Sequence, residues 1–207
     1  MYLPRHTRGD DADAAELLAG LKAADLISWT RDGLFATFLP LIHQPADSGL
    51  GTLLGHVARR NDHWRLEPVG ESLVIVHGPD AYITPSWYAT KQTTGRVVPT
   101  WNYLTAHIYG ELRIHDDPIW LERVVRMLTD RHETGRPEPW TVDDAPRGYI
   151  DGLLKAIVGV ELSISRMEVK AKFDREEPEA DRLGAISGLR ANGQLAAAAA
   201  MSRSRPR

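Results

Sequence analysis

Residues 78–110 read GPDAYITPSWYATKQTTGRVVPTWNYLTAHIYG. Prolines and polar aromatic residues are concentrated here, between two runs with the pattern of β-strands. A tryptophan or tyrosine on a turn can stack on a flat ligand while its N–H or O–H group reaches a hydrogen-bond partner. The stretch therefore predicts a binding site for a planar molecule.

Strand-like segments lie on both sides of this stretch. Residues 72–77 form a short apolar run, and residues 101–114 alternate in polarity after an aromatic start. Arg31-Asp32-Gly33 carries the Asp-Gly turn signal between strands predicted at 26–30 and 34–42. Further strands are predicted at residues 52–56 and 160–172.

Helices are predicted around these strands from the helical spacing of apolar residues and from the residues at their ends. They cover residues 10–24, a segment from 117 or 118 up to the stop at Thr134-Gly135, and residues 147–156, 181–192 and 194–201. Residues 57–64 are predicted as one or two helical turns. Short strands with helices before, between and after them predict an α+β fold, a β-barrel core with peripheral helices.

Composition limits the functional classes. The chain has 207 residues, enough to bury a core, and a net charge of −3, which does not indicate a nucleic-acid-binding face. Because it has no cysteine, thiol catalysis, iron–sulfur clusters and cysteine zinc sites are excluded. No apolar segment has the length of a signal-peptide core or a membrane span, so a cytoplasmic protein without a membrane partner is expected.

Other chemistries fit the sequence poorly. Gly49-Leu50-Gly51 followed by Gly55 is a near miss to a dinucleotide-binding fingerprint, because Leu54 stands where the third glycine belongs. The eight histidines include no HExxH pattern and no closely spaced pair, so no metal is expected. Ser86 lies in Pro-Ser-Trp rather than in Gly-x-Ser-x-Gly, which disfavours a hydrolase, and no catalytic residue is predicted.

Several motifs resemble those of one known family. They are Met1-Tyr2-Leu3-Pro4, Ala36-Thr37-Phe38-Leu39-Pro40, Leu54-Gly55-His56-Val57-Ala58-Arg59 with Asn61 and Trp64, residues 78–88, Val98-Pro99-Thr100-Trp101-Asn102-Tyr103, and His107 with Tyr109-Gly110. In this order they resemble the signature of the PaiB family, bacterial FMN-binding split-barrel proteins described as negative transcriptional regulators. The resemblance spans nearly the whole chain. It implies a homodimer of split barrels with FMN in each cleft between the subunits.

FMN needs cations and amides for its phosphate, and aromatic or apolar walls with edge donors for its ring. Given the resemblance, the phosphate end is predicted at Thr37, His56 and Arg59, the last two being one helical turn apart. The ring is predicted to contact Trp87, Tyr88, Trp101 and Asn102. From the residues alone, a solvated basic turn at 57–64 and core packing of the two tryptophans are the favoured alternatives.

Two parts of the chain depart from the family pattern. Phe38 stands where the family has a histidine. In the C-terminal segment Glu168, Lys170 and Lys172 match the family pattern, whereas Val169 and Phe173 do not. Asp174-Arg175-Glu176 then stand where the family has Ser-Gln-Asn. Phe38 and Lys170 are included among the predicted cofactor-binding residues. Since Phe38 cannot donate a hydrogen bond and Asp174 would repel a phosphate, weak FMN binding is predicted.

The predicted organisation is a split-barrel domain at residues 1–175, a C-terminal helical segment at 176–201 and a disordered tail at 202–207. The predicted function is that of an FMN-binding, PaiB-like negative transcriptional regulator with the flavin at the homodimer interface. DNA as a partner rests on the resemblance, because no helix-turn-helix pattern is present. The alternatives are an FMN-dependent oxidoreductase of the split-barrel class and a flavin-binding dimer that acts on protein partners.

Overall fold

The structure is a computed structural model that describes residues 1–204 of the 207. Its six strands are β1 (Ala23–Thr30), β2 (Gly33–Gln44), β3 (Thr52–Ala58), β4 (Ser72–Ile83), β5 (Thr100–His115) and β6 (Ile157–Lys172). They form a closed barrel in the order β1-β2-β3-β6-β5-β4. The predicted fold class, a β-barrel with peripheral helices, is confirmed.

The helices are α1 (Asp11–Ala19), α2 (Thr90–Thr93), α3 (Pro118–Glu133), α4 (Arg147–Leu154), α5 (Glu179–Ala191) and α6 (Leu195–Arg203). Short 3-10 turns lie at Arg5–Thr7, Asp62–Arg65, Pro85–Trp87 and Val142–Asp144. Within the described part of the chain, no helix combines the length and the apolar character that crossing a bilayer requires.

The chain divides into two compact units. Unit 1 contains residues 1–17, 77–106 and the chain from Glu168 onward, and unit 2 contains residues 18–76 and 107–167. Because β4, β5 and β6 contribute residues to both units, neither unit is a continuous segment. The boundary predicted between residues 175 and 176 does not separate them, since α5 and α6 belong to unit 1 together with residues 77–106.

The β1–β2 hairpin of unit 2 forms where the Asp-Gly signal predicts it. Thr30 pairs with Gly33 around the two-residue turn, and Gly33 has a φ of +108°, a conformation that L side chains rarely adopt. Successive residues of each strand point alternately to the barrel interior and to the outside, so Leu26 is buried while Trp29 is exposed. The turn therefore also determines which hairpin side chains face outward.

Helix α3 covers part of the sheet in unit 2. Asp117 caps its N-terminus by accepting hydrogen bonds from the amides of Ile119 and Trp120, and Pro118 occupies the first turn. Val124 and Leu128 of α3 pack against Ile42 of β2 and Leu54 of β3. Fully burying one such side chain stabilises the fold by about 1.5–3 kcal/mol.

In unit 1 a buried arginine joins the end of β6 to α6. Arg182 of α5 donates hydrogen bonds to the carbonyls of Phe173, Asp174, Met201 and Ser204. The bonds to Met201 and Ser204 pair carbonyl groups at the C-terminal end of α6, where the helix itself provides no N–H partner. Because α6 runs to Arg203 and Ser204 is buried, the predicted disorder is wrong for residues 202–204, while residues 205–207 lie outside the described residues.

Three predicted boundaries need correction. Residues 57–64 are not helical turns, because β3 continues to Ala58 and only Asp62–Arg65 form a 3-10 turn. The first helix ends at Ala19, and Ala23 and Ala24 already belong to β1. Strand β4 extends through Pro79 to Ile83, since Ala81 and Ile83 alternate inward as buried residues. Much of the polar aromatic stretch is therefore strand rather than loop.

A chain of buried polar groups crosses the core of unit 2. His63, 1% exposed, lies with Nδ1 2.9 Å from Thr37 Oγ1 and Nε2 2.9 Å from Ser28 Oγ, which in turn lies 2.7 Å from Ser72 Oγ. Asn61 Nδ2 also donates to Thr37 Oγ1. Burial lowers the pKa of His63, so the imidazole is neutral and each ring nitrogen has a hydroxyl partner.

This burial predicts a loss of stability in mild acid. Below the ordinary histidine pKa of about 6.5, the unfolded chain binds a proton that folded His63 does not, so the free energy of unfolding falls as the pH decreases toward the folded pKa, by at most about 1.4 kcal/mol per pH unit. Urea unfolding at pH 7.5 and 5.5 should show a smaller loss for His63→Gln than for the wild type. The exposed His132→Gln is the control, and equal losses in all three proteins would contradict the prediction.

Candidate functional site

Two of the predicted ring contacts lie inside unit 1 and share one acceptor. Asp174 Oδ2 accepts hydrogen bonds from Tyr88 Oη at 3.2 Å and from Asn102 Nδ2 at 2.9 Å. Tyr88 and Asn102 are 5% and 1% exposed, so neither presents a flat surface to a ligand. Burial, and then the Asp174 carboxylate, raise the pKa of Tyr88, which keeps its hydroxyl protonated as a donor.

Asp174 has a left-handed backbone conformation, with φ of +50°, which aspartate tolerates better than most residues. Its carboxylate is engaged by the two donors in unit 1. Both donors are neutral groups and supply no positive charge, so repulsion of a flavin phosphate by Asp174 stays a prediction. The substitution of a carboxylate for the family's serine also supplies an acceptor for Tyr88 and Asn102.

Trp87 is a packing residue of unit 1. A Cβ at Gly188 of α5 would lie 2.3 Å from its indole ring, and one at Gly184 would lie 2.0 Å from its backbone oxygen. The two glycines, one helical turn apart, let α5 approach Trp87 this closely. Core packing, the favoured alternative from the residues alone, is what the contacts of Trp87 indicate.

Trp101 and Lys170 do lie together, on the outward side of unit 1. Trp101 is 52% exposed, and its indole Nε1 donates to Asp80 Oδ2 at 2.7 Å. Lys170 Nζ lies 5.7 Å from the ring of Tyr103, the next outward residue of β5. The name aromatic–lysine face is used below for the outward residues Tyr2, Tyr82, Trp101, Tyr103, Lys170 and Lys172.

In unit 2 the predicted phosphate ligand Thr37 has other partners. Its hydroxyl contacts Asn61 Nδ2 and His63 Nδ1 within the buried polar chain. Phe38, the next residue of β2, points to the opposite side and is 70% exposed. Thr37 and Phe38 are adjacent in sequence and therefore cannot face one ligand together from the strand.

His56 retains a free polar atom. Its Nδ1 is buried and has no hydrogen-bond partner among the described residues. Burial lowers the pKa of His56, so a neutral ring is favoured, and a neutral imidazole offers a hydrogen bond rather than a charge to a ligand. A buried polar atom without a partner is uncommon in folded proteins, which keeps His56 as a candidate ligand-binding residue.

Arg59 is occupied by protein acceptors. Its Nε donates to the Lys155 carbonyl at 2.7 Å, Nη1 to Asp116 Oδ2 at 2.9 Å, and Nη2 to Asp116 Oδ1 and to the Ile157 carbonyl. Four of its five N–H groups therefore have partners. The hydrogen bonds with Asp116 raise the pKa of Arg59 and lower that of the carboxyl. His56 and Arg59 do not share one helical turn, because His56 lies in β3.

The residues present fit a flavin. In unit 1 a planar ring can stack on exposed Trp101, with the Lys170 ammonium group over the ring of neighbouring Tyr103. In unit 2 the unpartnered His56 Nδ1 is a separate candidate contact. A flavin bound here would supply reversible hydride and electron chemistry. In residues 1–204 no three histidine, aspartate or glutamate side chains are placed to hold a metal ion.

Four members of the aromatic–lysine face are not among the ligand contacts predicted from the sequence. They are Tyr2, Tyr82, Tyr103 and Lys172. The signal for three of them was the two-residue period of the strands, which places Tyr103 beside Trp101, Lys172 beside Lys170 and Tyr82 on the outside of β4. Tyr2 lies outside any strand, and no period predicts its position.

The sequence of the chain matches that of a known protein family. A family model described as "Putative FMN-binding domain" matches residues 1–166. An uncharacterized protein of Emericella nidulans is 37% identical over 166 residues, which cover 67% of this chain but 66% of that protein, so the chain spans just under two thirds of its length. The protease synthase and sporulation protein PAI 2 of Bacillus subtilis is 29% identical over 191 residues, 91% of this chain and 89% of that protein.

Solved structures agree on the fold. The flavocytochrome Anf3 from Azotobacter vinelandii superposes with a TM-score of 0.58 at 14% identity, covering 87% of this chain and 78% of that one. At this identity the likeness shows the fold alone. Because the family model matches well over half of the residues, the chain belongs to the PaiB family of FMN-binding split-barrel proteins, and its cofactor is a flavin.

Proposed function

We propose that this protein is an FMN-binding, cytoplasmic homodimer that acts as a negative regulator of transcription. The observation that carries the proposal is an uncovered apolar surface on unit 2 that includes Phe38, a predicted cofactor-binding residue. The regulatory role comes from the PaiB resemblance. The Bacillus relative bears the name of a protease synthase and sporulation protein.

The uncovered surface is the outer side of the β1–β2 hairpin. Trp29 pairs with Leu34 and Ile27 with Ala36, and paired residues lie on the same side of a sheet. Trp29, Leu34 and Phe38 are 58%, 67% and 70% exposed. The name apolar hairpin face is used for Ile27, Trp29, Leu34, Ala36 and Phe38; Leu73 of β4 lies opposite Ile27 at its edge.

A second copy of the chain is the occupant that suits this face. Large contiguous apolar patches are uncommon on monomers and mark interaction surfaces. A two-fold dimer brings the same patch of each subunit together, so the patch has to tolerate its own image. The apolar hairpin face can pack against its own image, because none of its members carries a charge. The acidic residue Asp25, which pairs with Phe38, lies at one end of the face.

The regulatory role does not depend on a basic DNA-reading helix in unit 2. Arg126 of α3 pairs with Glu122 and Asp143, and Arg147 of α4 pairs with Glu122 and Asp151. Arginines held in this way have little positive charge to offer to phosphates. We therefore place any DNA contact elsewhere in the dimer or in a protein partner.

A flavin-dependent oxidoreductase is the second candidate. It is favoured by the exposure of the aromatic–lysine face in unit 1, where Trp101 and Tyr82 remain accessible to solvent. A redox enzyme needs such access, because its electron donor has to approach the flavin ring.

The dimer can be tested on the apolar hairpin face. Light scattering at micromolar concentration should give about twice the chain mass of 23.1 kDa. Phe38→Asp should convert the protein to a monomer, because a charge buried at the interface loses its hydration without gaining a partner. Tyr149→Asp, at an exposed position of α4, is the matched control and should remain dimeric. A monomeric wild type would contradict the dimer.

Arg59 can be assigned by comparing two ligands. Loss of a direct phosphate contact would weaken FMN by roughly 1.5–3 kcal/mol and leave riboflavin, which has no phosphate, unchanged. Because Arg59 is occupied, we expect Arg59→Gln and Asp116→Asn to lower the melting temperature and to affect both ligands equally. If Arg59→Gln, but not Asp116→Asn, weakened FMN and left riboflavin unchanged, Arg59 would be a phosphate-binding residue.

Regulator and oxidoreductase are separated by two assays on one preparation. A regulator that contacts DNA should shift a promoter fragment, with affinity that falls steeply as salt is raised. An oxidoreductase should lose the visible absorbance of its flavin when NADH or NADPH is added and regain it in air. We expect the promoter shift without bleaching, and bleaching without a shift would favour the oxidoreductase.

A further inference from the structure

We propose that the isoalloxazine ring of the flavin stacks on the aromatic–lysine face of unit 1, with Lys170 and Lys172 supplying the positive charge beside it. The proposal rests on flavin binding, and it adds Tyr2, Tyr82, Tyr103 and Lys172 to Trp101 and Lys170, which were predicted from the sequence. It also removes Trp87 and Tyr88 from the predicted ring contacts, since both are engaged inside unit 1, whereas Asn102 donates through Nδ2 to Asp174 and keeps a buried Oδ1 without a partner among the described residues.

Exposure is the first reason. Tyr2, Tyr82 and Trp101 are 83%, 47% and 52% exposed. Large aromatic side chains gain about 1.5–3 kcal/mol each on burial, so three of them left in water on one side of a compact unit indicate a surface that a ligand covers. A flat ligand suits this surface, because its exposed parts are aromatic rings, two of them on neighbouring strands β4 and β5.

The rings are held in place by neighbours at their edges. Tyr82 meets Trp101 edge to face, with ring centroids 6.1 Å apart, and the indole N–H of Trp101 is fixed by Asp80. Its only hydrogen-bond donor is therefore satisfied while half of the side chain stays accessible. A ligand that stacks on Trp101 would meet a pre-oriented surface and would not displace a hydrogen bond.

Positive charge lies among the rings. Lys170 Nζ is 5.5 Å from the ring of Tyr2 and 5.7 Å from the ring of Tyr103, and it donates to the Tyr2 carbonyl at 3.1 Å. An ammonium group has three N–H donors, so two remain for a ligand. Lys172 Nζ bonds to Thr100 Oγ1 and to the Trp101 carbonyl, which leaves one. A flavin matches this surface, because its ring carries carbonyl acceptors and gains negative charge on reduction.

Separate segments of the chain build this face. Tyr2 comes from the N-terminal segment, Tyr82 from β4, Trp101 and Tyr103 from β5, and the two lysines from β6. The N-terminal segment is tied to β6 by the amide of Gly9, which donates to the Val169 carbonyl at 2.9 Å. Segments so distant in sequence are brought to one surface by the fold.

Single-stranded nucleic acid also stacks on aromatic residues beside cations. A polyanion requires cations spaced along its backbone, whereas this face offers two neighbouring lysines of β6, and Asp80 adds a negative charge at Trp101. A ligand with one ring system and a single phosphate suits this charge better. We therefore assign the face to the flavin, and nucleic acid is an outcome of the test.

The test is a titration of the full-length protein with FMN and with riboflavin, followed by flavin fluorescence. Stacking on Trp101 should quench the flavin. Trp101→Leu and Tyr82→Leu should each weaken both ligands about tenfold, and Trp101→Leu should also reduce the quenching of each bound flavin. Tyr149→Leu in α4 is the matched control for an exposed tyrosine, and Trp101→Phe retains a ring should Trp101→Leu prove unstable to heat.

A redox measurement tests the lysine separately. Lys170→Met should lower the midpoint potential of the bound flavin, because a nearby cation stabilises the negative charge of the reduced ring, whereas Lys91→Met, at an exposed lysine, should leave the potential unchanged. If every variant bound flavin as tightly as the wild type, the assignment to this face would be wrong, although the protein would still be a flavin-binding protein. No flavin binding by the wild type would refute the cofactor itself. Tighter binding of an oligothymidylate than of FMN, lost in the same variants, would assign the face to nucleic acid.

Discussion

Strict alternation along β5 is the constraint on which unit 1 depends. In a barrel strand each inward side chain is followed by an outward one, so burial of Asn102 and Leu104 obliges Trp101 and Tyr103 to face outward. The same period in β6 buries Val169 and Ala171 and turns Lys170 outward. A slip of one residue in either strand would bury the charged or polar set and expose the core, and the free-energy cost of doing so fixes the register.

Polar groups that suggest function in the sequence are largely used to hold the fold. Arg59 ties residues 155–157 to Asp116, and Thr37 is a link in the buried polar chain through His63. For buried His63 such pairing follows from the cost of leaving a buried polar group unsatisfied, about 1–3 kcal/mol for each group, whereas the Arg59–Asp116 pair is partly exposed. A residue type that suits a phosphate equally suits a carbonyl or carboxylate of the protein, and sequence alone does not distinguish the two.

The sequence was sufficient where local physics determines the answer. Turn chemistry predicts the β1–β2 turn, and two-residue periodicity predicts the long strand β5. Side-chain capping predicts the start of α3 at Asp117. It failed at residues 57–64, where polar and charged residues allow a helix but pairing of Val57 and Ala58 with β6 extends the strand. For Trp87 the residues alone favour core packing and the resemblance implies a flavin contact, and the approach of α5 through Gly184 and Gly188 supports packing. Long-range contacts of this kind leave no local pattern.

The two departures from the family pattern now have separate physical meanings. Asp174 replaces a neutral serine, and its carboxylate accepts the donors of Tyr88 and Asn102, so the change strengthens a contact within unit 1. Phe38 replaces a histidine on the apolar hairpin face, where an imidazole would have to give up its hydration if a second subunit covered it. A phenyl ring has no such cost and adds apolar area. Asp174 therefore changes the hydrogen bonding inside unit 1, whereas Phe38 changes the polarity of an exposed surface of unit 2.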